Sequence, residues 1–171
     1  MSSKNNNLSS GAKESLPSIA DFSVALIVSE WNAEITHSLR DACVKTLKIH
    51  NISEDNLYII SVPGAYELPM GARIMMGQEK IDAAICLGCV IKGETDHDKY
   101  INHAVANGIM NLGLTSQKPV IFGVLTPNTK QQALDRAGGK YGNKGIEAAV
   151  TAIKMLHHAA GTKNSKKNIG F

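Results

Sequence analysis

The sequence has 171 residues, of which 43% are apolar and 19% are charged, a composition typical of one globular domain and not of a disordered chain. Its formal net charge of +3 is too small to predict a surface dedicated to nucleic acids. No apolar run approaches the ~18 residues that a membrane-spanning helix needs, and no signal-peptide pattern opens the chain. We therefore expect no nucleic-acid partner, no membrane association and a cytoplasmic location.

The two ends of the chain differ from its middle in composition. Residues 1–18 are rich in Ser, Asn and Lys and nearly free of apolar side chains, which is typical of a flexible arm or of one that docks on a partner. Residues 161–171 are rich in Lys and Asn and predict a flexible C-terminal tail. An α/β domain is therefore expected over residues 19–160.

Between these ends, predicted strands alternate with predicted helices. Continuous apolar runs, typical of strands buried on both faces, predict strands over residues 23–28, 57–62, 81–91 and 119–125. Helical spacing of apolar residues predicts helices over residues 35–47, 68–76, 98–114 and 129–137, the last N-capped by Asn128 or Thr129. A final helix, carrying residues 146–156, follows a break at Gly138 and Gly139. This alternation predicts an α/β fold, a single-domain three-layer sandwich around a four-stranded parallel sheet.

The chain has three cysteines, and Cys86 and Cys89 form a C-x-x-C motif. The motif falls inside the third predicted strand, whereas a thioredoxin-like redox site needs it at the start of a helix. His97 and His103 follow it too closely for the usual zinc-ligand spacing, and no second C-x-x-C is present in the sequence. We expect free, buried thiols and no metal site.

Parallel sheets bind ligands outside the carboxyl ends of their strands, and informative side chains follow those ends here. Trp31 follows the first predicted strand, where its ring could pack against the fold or stack on a planar ligand. Glu67 follows the second, where it could favour the start of a helix or accept hydrogen bonds from ligand hydroxyls. His97 follows the third, where it could be merely solvated or transfer protons near neutral pH.

Two further segments predict contacts with an anion. Gly93, Glu94 and Thr95 precede a predicted helix and offer backbone N–H groups and a hydroxyl. Residues 136–145 (RAGGKYGNKG) place three cations around a glycine-rich helix break, although the spacing of a P-loop is not met. Arg136, with its forked donors, is the cation best suited to a phosphate. The residues alone thus predict a small planar, phosphorylated or polyhydroxylated ligand at the sheet edge.

These segments, in this order and spacing, resemble the lumazine synthase family over about residues 22–160. The motifs that carry the resemblance are SEWN at residues 29–32, PGAYELP at 63–69, GCVIKGETDH at 88–97, PVIFGVLT at 119–126, QALDRAG at 132–138 and GNKG at 142–145. Each motif alone is modest, but the whole set in register is highly specific.

The resemblance implies a flavodoxin-like fold and the penultimate reaction of riboflavin biosynthesis. In that reaction, 5-amino-6-(D-ribitylamino)uracil and 3,4-dihydroxy-2-butanone 4-phosphate form 6,7-dimethyl-8-ribityllumazine, phosphate and two waters. The family uses no cofactor. The resemblance also implies a homo-oligomer: a pentamer, which in some members closes into a 60-subunit shell. It makes riboflavin synthase a candidate partner. It also suggests that an N-terminal strand from a neighbouring subunit extends the sheet.

The resemblance also implies a role for each site residue. It gives Trp31 a stacking contact with the pyrimidine ring, Glu67 hydrogen bonds with the ribityl hydroxyls, and His97 proton transfer as the catalytic residue. The other ribityl-binding positions are Asn32, Ala65 and Tyr66. The backbone of Cys89, Val90 and Ile91 lines the ring pocket. The phosphate-binding positions are Glu94, Thr95 and Arg136, with Lys144 as a further cation, and Phe122 is an aromatic contributed by the neighbouring subunit.

The chain departs from the usual family pattern at three positions. Asp98 stands where many members have an aromatic residue, and Lys99 follows where an acid is usual. These changes place charges beside His97, so the properties of that side chain do not carry over from the family. Cys89 replaces a more usual Thr in the pocket lining, which removes a hydroxyl.

Two other classes of protein share parts of this pattern. A flavodoxin-like flavin-binding module would have the same architecture, but also a Ser/Thr-rich phosphate loop where this chain has EWN at residues 30–32. A purely structural shell protein would have no reason to gather Glu67, His97 and Arg136 at one edge. An activity assay separates that shell protein from an enzyme.

Overall fold

The computed structural model describes residues 16–78 and 80–166, the last five of these by their backbone alone. The strands of its main sheet are β1 (Val24–Ser29), β2 (Leu57–Val62), β3 (Ala83–Cys89) and β4 (Val120–Leu125). The helices are α1 (Ala33–Ile49), α2 (Leu68–Met76), α3 (His97–Ser116), α4 (Lys130–Asp135) and α5 (Lys144–Lys166). Single turns of 3₁₀ helix at Glu54–Asn56 and Ala65–Glu67 precede β2 and α2.

The four strands form one parallel sheet in the order β2-β1-β3-β4, with helices on both faces, which confirms the predicted fold class. Alternate side chains of β1 explain the two layers. Leu26 and Val28 enter a core with α1 and α5, whereas Ala25 and Ile27 enter a second core with α2 and α3. Because both faces of β1 and β3 are buried, these strands are apolar except for Ser29 at the end of β1.

Strand β3 is shorter than the predicted 81–91. Ile81 is fully buried but belongs to the turn before the strand, where its N–H donates to the Gln78 carbonyl. Val90 and Ile91 belong to the loop after it. The apolar run is longer than the strand because the core continues past both of its ends.

The segment predicted as a simple helix break is a small antiparallel hairpin of β5 (Ala137–Gly139) and β6 (Gly142–Asn143). Gly138 and Gly142 have φ values of 108° and 81°, which residues with a Cβ rarely adopt. Just beyond the hairpin, Gly145 lies so close to the Leu39 carbonyl that a Cβ would overlap it. A glycine at this position therefore lets the start of α5 pack directly on α1.

The ends of the domain extend beyond their predicted limits. Leu16 packs against the core, and the Ser18 carbonyl lies 3.0 Å from His157 Nε2, so the end of the predicted arm contacts the domain. Helix α5 continues to Lys166, past the predicted boundary at residue 160. Residues 1–15 of the predicted arm and 167–171 of the predicted tail lie outside the described residues. Over the described part of the chain, none of the helices is both long and apolar enough to cross a membrane.

The C-x-x-C motif lies within β3, as predicted, and all three cysteines are free and buried. Burial raises the pKa of the Cys86 thiol to about 12 and that of the Cys89 thiol to about 11. Both thiols are therefore neutral at physiological pH, and a neutral thiol is a poor nucleophile.

Candidate active site

A cleft of about 1010 Å³ opens where β1, β2 and β3 end and α3 begins. It contains most of the residues that the sequence placed in the site: Trp31, Asn32, Ala65, Tyr66, Glu67, Cys89, Val90, Ile91, Thr95 and His97. The cleft lies at the carboxyl edge of the sheet, beside the boundary of β1 and β3 where the strand order reverses. This is the position expected for a ligand site in an open parallel sheet.

Hydrogen bonds between loops hold the strand ends together around this cleft. The Glu30 N–H donates to the Val62 carbonyl at 2.8 Å, and the Trp31 N–H donates to the Pro63 carbonyl at 3.1 Å. These two bonds attach the loop after β1 to the loop after β2. The position of Trp31 is therefore set by backbone contacts, while 73% of its surface remains exposed for a ligand or a partner.

Glu67 is oriented by a backbone contact within its own turn. Its Oε2 atom accepts a 3.0 Å hydrogen bond from the Gly64 N–H, closing the 3₁₀ turn that precedes α2. A carboxylate has about four acceptor positions on its two oxygens, so one backbone contact leaves most of its capacity available. The structure thus presents to the cleft a Glu67 carboxylate that is oriented by the backbone and keeps acceptor capacity.

The segment between β3 and α3 supplies the polar end of the cleft. His97 is the first residue of α3 and is exposed at the cleft, and Gly93 and Thr95 line the cleft just before it. Glu94 is exposed and does not line the cleft, so a contribution from it would come from its backbone. A helix N-terminus carries partial positive charge, which favours an anion at this end.

Helix α3 also lines the cleft with residues that the sequence did not single out as site residues. Tyr100 and Ala104 lie three and seven positions after His97, on the same face of the helix. Asp98 also lines the cleft, and its Oδ1 atom is buried with no hydrogen-bond partner among the described residues. Helical spacing counted from His97 would have identified Tyr100, which is 75% exposed.

Phe122 does not line this cleft. It lies on the edge strand β4, 37% exposed, and borders a separate groove of about 760 Å³ between the second half of α3 and the second half of α5. The exposed apolar side chains of Met110, Leu114 and Met155 line the same groove. A single chain therefore keeps this aromatic residue apart from the pocket that contains Trp31.

Arg136 and Lys144 also stand outside the cleft, and both bind Glu147. Arg136 Nη2 lies 2.9 Å from Glu147 Oε1, and Lys144 Nζ lies 3.0 Å from Glu147 Oε2. The sequence analysis missed Glu147, which is 5% exposed. The available signal was an acid three residues after Lys144 in the first turn of the last helix, the spacing of a helical ion pair.

Among the described residues, no three His, Cys, Asp or Glu side chains are grouped so that they could hold a metal ion.

The cleft combines stacking surfaces, a hydroxyl acceptor, a titratable imidazole and backbone donors for an anion. Such an arrangement can hold a polar planar substrate beside a phosphorylated one and move protons between them.

Comparison with known proteins identifies the family. The family model of 6,7-dimethyl-8-ribityllumazine synthase matches residues 21–160. The chain is 50% identical over 156 residues to the 6,7-dimethyl-8-ribityllumazine synthase of Cytophaga hutchinsonii, covering 91% of this chain and 98% of the relative. It is 53% identical over 131 residues to the enzyme of that name from Bacteroides fragilis, covering 77% and 92% of the two chains. The chain therefore belongs to the 6,7-dimethyl-8-ribityllumazine synthase family, transferases of the penultimate step of riboflavin biosynthesis.

Proposed function

We propose that the cleft joins 5-amino-6-(D-ribitylamino)uracil to 3,4-dihydroxy-2-butanone 4-phosphate, forming 6,7-dimethyl-8-ribityllumazine. One observation carries this assignment. The cleft brings Trp31, Glu67 and His97 together at the end of the sheet, with Gly93 and Thr95 of the turn before α3 beside them. An aromatic ring can stack on Trp31, a polyol chain can donate hydrogen bonds to Glu67, His97 can transfer protons, and the turn can receive a phosphate.

The pyrimidine substrate is assigned to the side of the cleft formed by the loops after β1 and β2. Trp31 offers an exposed ring face to the heterocycle, and Tyr66, 61% exposed, borders the same space. Glu67 accepts hydrogen bonds from the ribityl hydroxyls, beside the loop that carries Asn32 and next to Ala65. The backbone of Cys89, Val90 and Ile91 borders the ring on its other side.

The phosphorylated ketone is assigned to the start of α3. Gly93 and Thr95 line the cleft there, where the helix dipole favours negative charge. His97 is adjacent and is the proton-transfer group of the reaction. Such a group typically contributes ~10²–10⁴-fold, while holding both reactants in register contributes up to ~7–11 kcal/mol.

The reaction uses only proton transfers and bond exchange within the two substrates. The pyrimidine amine attacks the ketone carbon, and loss of water gives a Schiff base. Removal of a carbon-bound proton then breaks the C–O bond to phosphate, which leaves with the electron pair. Loss of phosphate leaves an enol at the carbon that bore the neighbouring hydroxyl, and protonation of its terminal CH₂ converts that enol to a ketone with a new methyl group. The ribitylamino nitrogen attacks this new carbonyl, and a second water leaves as the ring closes. His97 accepts and returns the protons of these steps, and the chemistry needs no cofactor.

We further propose that each site is shared between two subunits of a pentamer. Phe122, Arg136 and Lys144 lie outside their own cleft, on edge strand β4 or in the segment that follows it. A neighbouring copy can use this edge to complete its own cleft. The 60-subunit shell, the riboflavin synthase partner and the cytoplasmic location are part of the same proposal, the last supported by three free thiols.

Purified protein incubated with the two substrates should produce a fluorescent lumazine and release phosphate. Absence of both products would overturn the assigned reaction. Light scattering tests the assembly: a mass near five chains supports the pentamer and refutes the shell, whereas a mass near one chain refutes both.

A complementation experiment tests whether the site is shared. His97→Ala and Arg136→Ala chains are co-expressed and purified as mixed assemblies. If each site takes His97 from one subunit and Arg136 from the next, about one quarter of the sites in an equal mixture contain both intact residues. Activity should then rise well above the mean of the two single variants. Activity equal to that mean would place both residues in one chain's site.

A further inference from the structure

The two cations that stand outside the cleft are joined by one buried carboxylate. Glu147 gives a separate oxygen to each, Oε1 to Arg136 and Oε2 to Lys144. The Glu147 side chain is 7% exposed, compared with 16% for Arg136 and 28% for Lys144. The acid is therefore at the bottom of the cluster, and the cations lie between it and the surface.

The backbone brings these three residues together. The Lys144 N–H donates to the Arg136 carbonyl at 2.9 Å across the β5–β6 hairpin, so residues eight apart in sequence become neighbours. Glu147 lies one helical turn after Lys144 in α5. Arg136 Nη1 also lies 3.4 Å from the Tyr141 carbonyl, within the same hairpin. The spacing of the two cations is thus set by the hairpin, the helix and a shared acceptor.

The charges of the cluster do not cancel. One carboxylate faces two cations, which leaves a formal excess of one positive charge on largely buried side chains. A single cation would have been enough to neutralise Glu147. A guanidinium has five N–H donors and an ammonium has three, so contact with one carboxylate saturates neither group. The cluster therefore has the charge and the donors to receive an anion at its exposed side.

We propose that Glu147 is a positioning residue that holds Arg136 and Lys144 together as a two-cation receptor for the phosphate of the ketone substrate. This inference rests on the proposed function, in which the segment that carries Arg136 completes the cleft of a neighbouring subunit, and on the phosphate contact that the family resemblance implies for Arg136. Without the carboxylate, the two cations repel each other and their long side chains regain rotamer freedom, so each phosphate contact must be formed from a disordered state.

The Glu147→Gln variant tests this role because it removes the charge while keeping the size of the side chain. We expect the KM for the phosphorylated ketone to rise about tenfold, with the KM for the pyrimidine changed less than about twofold. The inhibition constant of inorganic phosphate, used as a competitive inhibitor against the ketone, should rise by a similar factor. If Glu147 only offset positive charge, its removal would instead lower that inhibition constant, and that result would overturn the proposal.

A double variant separates positioning from a general structural effect. Because Glu147 acts through Arg136 as well as Lys144, Glu147→Gln should raise the ketone KM by a smaller factor in an Arg136→Ala background than in the wild-type chain. Additive effects, or equal changes in both KM values, would overturn the proposal. Glu54→Gln is the matched control, since it removes an exposed ion pair with Lys48 elsewhere on the chain and should change neither KM.

The outcomes also distinguish this inference from the proposed function. If Arg136→Ala raises the ketone KM and Glu147→Gln does not, only the role of Glu147 is wrong. If neither variant changes that KM, the phosphate does not bind at Arg136, so the role of Glu147 and the phosphate contact of Arg136 are both wrong, while the proposed reaction stands if the lumazine is still formed. Should the Gln variant fail to assemble, Glu147→Asp keeps the charge but has too short a side chain to reach both cations. The same selective rise in ketone KM is expected for it, and an unchanged KM would overturn the proposal.

Discussion

Asn32 Nδ2 donates a 2.9 Å hydrogen bond to the backbone carbonyl of Cys89. This bond joins the loop after β1 to the end of β3, across the boundary where the strand order of the sheet reverses. The backbone of Asn32 is in the left-handed region, with φ 61° and ψ 45°. Asn adopts this conformation more readily than most other residues.

Two substitutions of Asn32 should separate its hydrogen bond from its backbone conformation. Asn32→Gly keeps the left-handed conformation and loses the bond, at a cost of about 1 kcal/mol in the free energy of unfolding. Asn32→Ala loses the hydrogen bond and also the tolerance of the left-handed backbone, so it should be about 1 kcal/mol less stable than the Gly variant. Urea unfolding measures the two values. Equal stability of the Gly and Ala variants would show that the left-handed backbone contributes nothing.

Gly64→Ala should weaken binding of the pyrimidine without altering any charged residue. A Cβ at position 64 would lie 3.1 Å from Glu67 Oε2, closer than ordinary van der Waals contact, so the carboxylate must move. We expect the KM for the pyrimidine to rise about three- to tenfold, because a displaced acceptor loses part of a hydrogen bond. The KM for the ketone should change less. Steady-state kinetics with each substrate varied in turn measures both KM values, and an equal rise in the two would contradict this prediction.

His97→Ala should lower kcat by roughly 10–10³-fold, because proton transfers would then depend on water. His103→Ala is the matched control, since His103 is exposed on the same helix and does not line the cleft. Its kcat should be unchanged. Turnover is measured with both substrates saturating and assembly by light scattering. Full activity of the His97 variant would remove this residue from the mechanism.

The buried thiols should make the protein less stable above pH 9. Burial raises the pKa of Cys86 from 9.0 to about 12 and that of Cys89 to about 11, and it raises the pKa of Cys43 further. Below pH 9 these thiols are neutral in both states and their full contribution to stability is present. Above it the unfolded chain gains thiolates, and each thiol lowers the free energy of unfolding by about 1.4 kcal/mol per pH unit until its folded pKa is reached.

Urea unfolding at several pH values between 8 and about 10.5 measures this slope. Cys86→Ala is the internal comparison because it removes one titrating thiol. The fall in the free energy of unfolding with pH should then be less steep by the contribution of that one thiol. Identical slopes for the two proteins would mean that Cys86 ionises equally in the folded and unfolded states.

The layered fold was predictable because strands buried on both faces have little choice of composition. The apolar runs at β1 and β3 contain no charged side chain, and the helices between strands repeat apolar residues on one face. The cleft followed from the same reasoning. Once the strands are parallel, Trp31, Glu67 and His97 must come to the same edge of the sheet.

The sequence-based predictions failed at contacts between segments that share no periodic pattern in the sequence. The β5–β6 hairpin is too short for a periodic pattern, and its glycines gave only the signal of a break. The partner of Arg136 was missed for a related reason. Glu147 in isolation is an ordinary acid in the first turn of a helix, and only its burial beneath two cations shows its role.

The sequence by itself determined the sheet, the layers and which residues meet at its edge, because local composition and alternation decide how a doubly buried strand must lie. Only the tertiary structure decided which residues a single chain can bring to its own cleft. It places Phe122 on the outer edge of β4 and ties Arg136 and Lys144 to Glu147. These positions depend on the order of strands in the sheet and on the close packing of α5 against α1, long-range relationships that no local pattern records.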